Sequence, residues 1–402
     1  MTKAMSKYIL NVDWLAIYGS QSLRLAKNAF GIRPSDMHGH GWGMEVETLS
    51  ERDRMMLEGI EFQGCRQHIF GNLILDVQEY GTRQYNVLFH VYYGRELFGY
   101  LQAYPRTSAV RPDSFILKVA NRYLYRYDCW DKLQYVLSTL NLQAKSISRL
   151  DIAADFETFQ DGTHPVDFIR MFMAGEIKHK GRAEGAVNFL QRYAYVQKDK
   201  RLEDYLKFNA LTMGKHSSDA HCYLYNKSVE LKEVMMKPYI QDAWRQAGFD
   251  VDNVWRLEVS LKSKALYFVD KNSGMEVQFN LCHLLHPTED MNVAVLYFVM
   301  LKALFFFFRP TGQKNVSREK MIQLFDDSTE IDRGIIRDKN TSNRSERILI
   351  KALHTLALRY RGVTNEERWQ AIHMAEHLAQ TMNLSEWVEE KKSQWRNTKL
   401  KA

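Results

Sequence analysis

Three short segments of this chain place acids, arginines and a tyrosine–lysine pair at every second position. They span residues 148–155 (SRLDIAAD), 220–227 (AHCYLYNK) and 255–262 (WRLEVSLK). Successive side chains of a β-strand point to opposite faces, so alternate residues share one side. If the three strands share a sheet, its polar face collects Arg149, Asp151, Asp155, His221, Tyr223, Tyr225, Lys227, Arg256, Glu258, Ser260 and Lys262. Carboxylates, tyrosine hydroxyls and cations together are suited to metal-assisted attack on a phosphodiester.

The same alternation is also typical of an antiparallel sheet whose polar face simply meets water. In that interpretation the two tyrosines pack on the sheet surface, and the arginines form surface salt bridges of little energetic value. Three such segments in one chain, each with an acid or tyrosine two residues from a base, favour a functional site.

Further elements must hold these strands in place. A strand is predicted at residues 9–18, and residues 62–104 alternate in runs separated by glycine, which is typical of a β-meander. Helices are predicted at residues 114–125, 130–140, 165–174 and 229–247, the last kinked or restarted at Pro238. From residue 286 onward the periodicity is helical, with helices predicted at residues 345–360, 366–382 and 385–397.

The sequence therefore predicts an α+β fold. Residues 1–285 are expected to form a mainly antiparallel sheet domain with flanking helices, which would be the nuclease domain. Residues 286–402 are expected to form an all-helical accessory region. The apolar stretch 291–308 is nearly long enough to cross a membrane, but it contains Lys302. We therefore predict a deeply buried helix and no membrane association.

Composition favours an anionic partner without naming it. The chain has 55 Lys and Arg against 48 Asp and Glu, a net charge of +7, and its 12% aromatic residues suit base stacking as well as a dense core. The four cysteines are scattered without a Cys-x-x-Cys pair. This argues against a disulfide framework or a structural zinc site and for a reducing compartment. The N-terminal residues lack the apolar run of a signal peptide, so the expected location is the cytoplasm.

The polar segments also resemble a known family in their order. The runs RLDIAAD, MGKHSSDAHCYLYNK (followed by Glu230) and WRLEVSLK are similar to motifs of the replication initiation factor family. The opening NVDWLAIYG is similar to that family's first strand. The family comprises rolling-circle replication initiators of the trans-acting Rep type, filamentous-phage initiators and related relaxases of conjugative elements. The chain departs from the usual motif at Met213, where an aromatic residue is common, and at Lys215 and His216, which replace Ser-Arg.

The resemblance implies an enzyme that nicks and rejoins one strand of origin DNA through a covalent 5′-phosphotyrosine. Tyr225 is the expected nucleophile because it shares a face with Lys227, which would lower the phenol pKa or neutralise phosphate charge. Tyr223 lies on the same face and is the competing candidate. A tyrosine is a weak nucleophile at its ordinary pKa near 10, so a metal or a base must assist it.

The remaining polar residues receive metal-binding and DNA-binding roles. Asp151 and Glu258 are expected to hold Mg²⁺ or Mn²⁺, the metals that oxygen ligands favour, and Asp155 is a third ligand or a hydrogen-bond acceptor behind the others. The expected DNA contacts are Arg149, Arg256, Lys215, His216 and Tyr223.

Alternative functions stay open at this point. A relaxase for conjugative transfer would share the chemistry, whereas a non-catalytic, sequence-specific DNA-binding protein would use the acids for structure. An RNA-binding module is disfavoured because the expected aromatic run is missing. Origin DNA is the expected partner, and a host helicase and a second copy of the chain are further candidates. Residues 331–402 contain 14 Lys and Arg against 9 Asp and Glu. This basic region is expected to bind duplex DNA or a helicase, and the alternative is a helical cap whose charges are merely solvated.

Overall fold

A computed structural model of the protein describes residues 7–21, 55, 57–64, 66–107, 111–180, 187–188, 210–214, 218–270, 276–312, 318–326, 333–335, 349–354, 357, 364–381, 384–385, 388–389 and 391. The chain forms two compact units, Met1–Ile336 and Arg337–Ala402.

The first unit is built on one large sheet. Within the described ranges it has eleven strands, and every neighbouring pair is antiparallel. In spatial order the strands are β2 (Arg66–Phe70), β3 (Leu73–Val77), β4 (Tyr85–Tyr93), β5 (Glu96–Pro105), β6 (Ser114–Val119), β1 (Tyr8–Gln21), β7 (Leu142–Phe156), β12 (Trp255–Lys262), β11 (Ala220–Asn226), β10 (Ala210–Met213) and β9 (Val187–Asn188).

The three polar segments are neighbours in this sheet, as β7, β12 and β11. Leu150, Ile152, Leu257 and Val259 are fully buried on the apolar face, as the alternation requires. The register aligns Tyr225, Arg256 and Asp155 in one row across the three strands, and Tyr223, Glu258 and Ala153 in the next row. The predicted α+β fold with a mainly antiparallel sheet and flanking helices is confirmed.

Helices cover both faces of the sheet. Those of the first unit are α1 (Asn121–Leu124), α2 (Cys129–Thr139), α3 (Pro165–Met173), α4 (Lys227–Glu233), α5 (Pro238–Gln246), α6 (Leu281–Leu285) and α7 (Val293–Leu304). The buried residues of α2, α3, α6 and α7 join the main core of the strands. By contrast, α4 and α5 share a smaller core around Trp244, on the side of Ile9 and Tyr125.

Short strands complete the first unit. β8 (Lys178–His179) pairs with β15 (Phe307–Phe308). β13 (Tyr267–Asp270) lies between β14 (Glu276–Gln278) and β16 (Arg333–Ile335).

The structure replaces half of one predicted helix by a strand and divides another into two helices. The helix predicted at residues 114–125 is wrong over its first half, which is strand β6. Phe115, Leu117 and Val119 alternate into the core there, between β5 and β1. The long helix predicted at residues 229–247 is two helices, because Pro238 restarts it as the first residue of α5.

The apolar stretch after residue 290 forms α7, which is buried as predicted. Tyr297 lies within the core, and its hydroxyl donates a hydrogen bond to the carbonyl of Leu257 at 3.0 Å. Since α7 packs into the core of the sheet, the first unit continues past the predicted boundary at residue 285. Residues 286–336 also contribute β15 and β16, so the all-helical region begins later than predicted. In the described ranges, none of the helices has both the length and the hydropathy needed to cross a membrane.

The secondary structure described in the second unit is helical. The helix α8 (Asn365–Thr381) begins with a capping box in which Thr364 and Glu367 bond each other's backbone N–H groups. A small core of Ile350, Ala375, Ala379 and other apolar residues holds the unit together.

Candidate active site

A cleft of about 660 Å³ opens on the polar face of the large sheet. Strands β1, β6, β7, β11 and β12 contribute to its wall, together with α1 and α4. The sheet register explains the arrangement, because alternate residues of adjacent strands come to lie side by side. The cleft brings together six of the predicted site residues, namely Arg149, Asp151, Tyr223, Tyr225, Lys227 and Glu258.

The Tyr225 hydroxyl lies between the carboxylate of Glu258 and the ammonium group of Lys227. It donates a hydrogen bond to Glu258 Oε2 at 3.0 Å, and Lys227 Nζ donates to Tyr225 Oη at 3.4 Å. Tyr225 ends β11 and Lys227 is the first residue of α4. Between them, the Asn226 side chain caps the helix by accepting from the backbone N–H of Val229 at 3.0 Å. This abrupt strand-to-helix turn holds the ammonium group against the phenol.

Burial and charge tune the acid–base properties of these groups. Burial, together with the negative charges of Asp13 and Asp151, raises the pKa of Glu258 to about 7. Burial and the neighbouring Glu258 raise the pKa of Tyr225 well above 10. Burial and the positive charge of Arg256 lower the pKa of Lys227. A carboxylate with a pKa near neutrality that accepts a hydrogen bond from a phenol is suited to act as a general base.

Arg149 and Asp151 form a second polar pair in the cleft. Arg149 donates to both carboxylate oxygens of Asp151, at 3.0 Å and 2.6 Å, and the Ser260 hydroxyl donates to Asp151 Oδ1 at 2.5 Å. The Arg149 guanidinium also lies 4.5 Å from the centre of the Trp14 ring, and Lys118 Nζ lies 3.4 Å from the same ring centre. Lys118 therefore adds a cation that the sequence segments did not reveal.

Arg256 and Asp155 lie beneath the cleft, so the roles predicted for them are wrong. Both side chains have no exposed surface. Arg256 bonds both oxygens of Asp155, at 2.6 Å and 2.8 Å, and the second of these oxygens also accepts from Trp244 Nε1 at 2.8 Å. An arginine enclosed in this way cannot contact DNA phosphates, and this carboxylate is committed to its partners rather than to a metal. The pair anchors α5 to the sheet.

Asp13 is a site residue that the sequence analysis missed. It occupies an irregularity of β1, where the register with β7 shifts between Val12 and Trp14. Its carboxylate accepts from Arg256 at 2.6 Å and from the Tyr125 hydroxyl at 2.8 Å. Burial alone would raise its pKa, but the charges of Arg256 and Lys227 outweigh burial and lower it. Asp13 is the single charged residue of β1, and this was the available signal.

Tyr223 lies beside Tyr225 in the cleft. Their rings stack with centres 4.5 Å apart and an angle of 26° between planes. Tyr223 therefore presents an aromatic surface next to the candidate nucleophile. Lys215 and His216, the other predicted DNA contacts, lie outside the described residues.

The described residues do not supply a complete set of ligands for the metal that the family resemblance implies. Among them, no group of three His, Cys, Asp or Glu side chains could hold a metal ion. Both oxygens of Asp151 are bonded by Arg149, and Asp155 is enclosed, so Glu258 is the predicted ligand that retains access to the cleft without an arginine partner. Mg²⁺ commonly binds one or two carboxylates together with substrate phosphates. A complete site would thus require oxygens from bound DNA.

Comparison with known proteins gives little further guidance. No protein-family model matches the chain, and no curated protein matches it in sequence. Among the similar solved structures is a rolling circle replication initiator protein from Geobacillus stearothermophilus, with 12% identity and a TM-score of 0.39. The likeness covers 79% of this chain and 94% of that one. A similarity at this level does not assign a function.

Proposed function

We propose that this protein nicks and rejoins one strand of DNA through a covalent 5′-phosphotyrosine formed on Tyr225. The observation that carries the proposal is the position of the Tyr225 hydroxyl, bonded to Glu258 at 3.0 Å and to Lys227 at 3.4 Å in a cleft lined with cations. A nucleophile held within hydrogen-bond reach of a base is the arrangement that covalent catalysis requires.

The proposed reaction is a transesterification at phosphorus. As Tyr225 Oη attacks, the bond between phosphorus and the 3′-oxygen breaks and Glu258 accepts the phenolic proton. The departing 3′-oxygen takes a proton from water and becomes a free 3′-hydroxyl. Lys227 stabilises the negative charge that develops on the phenolic oxygen and the phosphate. In rejoining, the 3′-hydroxyl gives its proton to water as it attacks phosphorus, the bond between phosphorus and Tyr225 Oη breaks, and Glu258 returns its proton to the phenolate.

The composition of the cleft supports nucleic acid as the substrate. Cations attract backbone phosphates, and aromatic rings offer stacking surfaces to bases of any sequence. The cations that line the cleft are Lys118, Arg122, Arg149, Lys227 and Lys237, and the aromatic residues are Trp14, Tyr100, Tyr223, Tyr225 and Tyr239.

The biological setting that we propose is initiation of rolling-circle replication at an origin, and it rests on the motif resemblance alone. A conjugative relaxase would carry out the same chemistry on a transfer origin. The requirement for Mg²⁺ or Mn²⁺ is likewise a proposal from the resemblance, and no step above depends on it.

Trapping of the covalent adduct tests the proposal. The protein is incubated with random-sequence single-stranded oligonucleotides carrying a 3′ label, and labelled protein is recovered under denaturing conditions. Sequencing the attached strands identifies the preferred nick site, and mass spectrometry of the digested protein identifies the modified residue. We expect the label on Tyr225, its loss in Tyr225→Phe, and its retention in the matched variant Tyr223→Phe.

Three results would contradict the proposal. An adduct on Tyr223, or undiminished nicking by Tyr225→Phe, would exclude Tyr225 as the nucleophile. Tight DNA binding by the wild-type protein without any adduct would instead support the non-catalytic DNA-binding alternative.

A further inference from the structure

Three consecutive large apolar side chains project into solvent where α4 ends. Val234, Met235 and Met236 are 58%, 64% and 59% exposed. Among the exposed large apolar residues of the described ranges, these are the only three that follow one another in the chain. Isolated exposed apolar residues are common, but a contiguous group marks an interaction surface. We call residues 234–236 the apolar tip.

The tip belongs to the active-site cleft. Met235 lines the cleft together with Tyr225, and Lys237, the residue after the tip, lines it as well. The helix that leads to the tip begins at Lys227, whose ammonium group contacts the Tyr225 hydroxyl. At about 1.5 Å per helical residue, the tip lies about 10 Å along the axis from the start of α4, or about three steps of stacked bases at 3.4 Å.

Both ends of the tip are held in place. On one side Val234 closes α4, with its backbone N–H donating to the Glu230 carbonyl at 2.9 Å. On the other side Pro238 begins α5, and Tyr239 donates to Asn121 Oδ1 at 2.6 Å. Asn121 in turn donates to the Asp13 carbonyl at 2.5 Å. The exposed side chains therefore sit on a short connection that is fixed to the cleft wall at both sides.

The neighbourhood of the tip indicates what covers it. Lys237 directly follows it in sequence, and Lys118, Lys227 and Arg149 line the same cleft. A ligand that offers negative charge and flat apolar surfaces at short spacing would match these neighbours. Nucleic acid has both, in its phosphates and its bases. Proteins that bend or open duplex DNA insert methionine and similar apolar side chains between base steps.

We propose that the apolar tip inserts between bases of duplex DNA beside the nick site and unstacks them, so that the scissile strand can enter the cleft. This inference rests on the proposed nicking function and adds a device for opening the duplex. The tip would act on duplex DNA and would matter much less for a strand that is already single.

Nicking of three substrates with one sequence tests the inference. The nick site recovered from the trapped adducts is placed in a single-stranded oligonucleotide, in a duplex with a mismatched bubble, and in a supercoiled plasmid. For the double variant Met235→Ser/Met236→Ser, we expect the plasmid nicking rate, divided by the single-strand nicking rate, to fall at least tenfold. The variant should nick the bubble duplex at most of the wild-type rate. Met173→Ser is the matched control, because Met173 is 52% exposed and does not line the cleft.

A second measurement does not depend on nicking. The Tyr225→Phe protein is first used to select the duplex that it binds best from a random-sequence pool, and 2-aminopurine is then placed at successive positions of that duplex. We expect a severalfold rise in fluorescence over about three neighbouring base steps, and at least a halving of the rise when Met235 and Met236 are also changed to Ser.

The outcomes separate the two proposals. A tip variant whose plasmid to single-strand ratio and fluorescence match the wild type would overturn the inference, and so would an equal loss of rate on all three substrates. If the wild-type protein nicks no substrate but produces the tip-dependent fluorescence, the tip acts on DNA and the nicking function fails. If it produces neither, both fail.

Discussion

Replacing Glu258 by Gln tests whether Glu258 acts as the general base or only supports the structure of the site. Glu258 accepts a hydrogen bond from the Tyr225 hydroxyl and has a pKa raised from 4.5 to about 7. If it must be ionised to act, the wild-type nicking rate should rise about tenfold per pH unit below pH 7 and level off above it. Gln keeps the shape and can still accept the hydrogen bond, but it cannot take the proton. We expect a rate lower by about 10²–10⁴ that is independent of pH in this range.

The same variant should be more stable than the wild-type protein at alkaline pH. A carboxyl group with a raised pKa in the folded state binds its proton more tightly there than in the unfolded chain. Its contribution to stability is therefore fully present below pH 4.5 and is lost as the pH rises through about 7. The rise of the pKa from 4.5 to about 7 corresponds to about 3–4 kcal/mol at most, since one pKa unit is about 1.4 kcal/mol. Glu258→Gln removes this cost, so its free energy of unfolding should exceed that of the wild type at pH 8 and approach it at pH 4.

Nicking of the single-stranded substrate between pH 5.5 and 8.5, with urea unfolding at pH 4 and pH 8, measures both effects. Glu230→Gln is a matched control, because Glu230 lines the same cleft but bonds Lys227 and not Tyr225. It should retain the pH dependence with its midpoint near 7. A Glu258→Gln protein that keeps the wild-type rate, or that is less stable at pH 8, would refute the assignment of Glu258 as the base.

Three further predictions follow from the structure. Arg256→Gln should lower the free energy of unfolding by about 3–5 kcal/mol, since Asp155 would keep a buried charge without its partner; a variant with normal stability and weakened DNA binding would restore the DNA-contact role. Mn²⁺ should bind the protein together with phosphate-bearing single-stranded DNA but not the protein alone, as measured by electron paramagnetic resonance, and full nicking in excess EDTA would exclude the metal. Truncation after Ile336 should leave a folded unit with a shallower salt dependence of duplex binding, because residues 337–402 carry 13 Lys and Arg against 8 Asp and Glu. An unchanged slope would rule out a DNA-gripping role for those residues.

The sequence predicted which side chains share a face but not how deep they lie. Period-two alternation correctly placed Asp151, Tyr225 and Glu258 on one face of adjacent strands. It could not show that α5 would cover the row of Arg256 and Asp155, because that contact depends on Trp244, about 90 residues along the chain from Asp155. The burial of a side chain on a sheet face depends on which element packs on that face, and the local sequence pattern does not show which element this is.

The predicted boundary at residue 285 differs from the structural one for a related reason. The change from alternating to helical periodicity predicts that the sheet domain ends there. However, the side chains of α7 are almost all apolar, and such a helix must be covered on every side. The apolar face of the sheet covers it, as the bond from Tyr297 to Leu257 illustrates. An abrupt change of secondary structure is therefore weaker evidence for a boundary than the burial that the new element requires.

The choice between the two tyrosines shows what only the three-dimensional arrangement could decide. In the strand register Glu258 lies directly opposite Tyr223, and Tyr225 lies opposite Arg256. Pairing by register alone would make Tyr223 the partner of the base. The structure instead has the Tyr225 hydroxyl reaching Glu258 diagonally at 3.0 Å, a separation that aromatic side chains can span. Tyr223 stacks on Tyr225 and so supports the ring from its side. Because Lys227 also lies at the Tyr225 hydroxyl, a carboxylate and an ammonium group converge on the same oxygen, and this convergence is the reason that we propose Tyr225 rather than Tyr223 as the nucleophile.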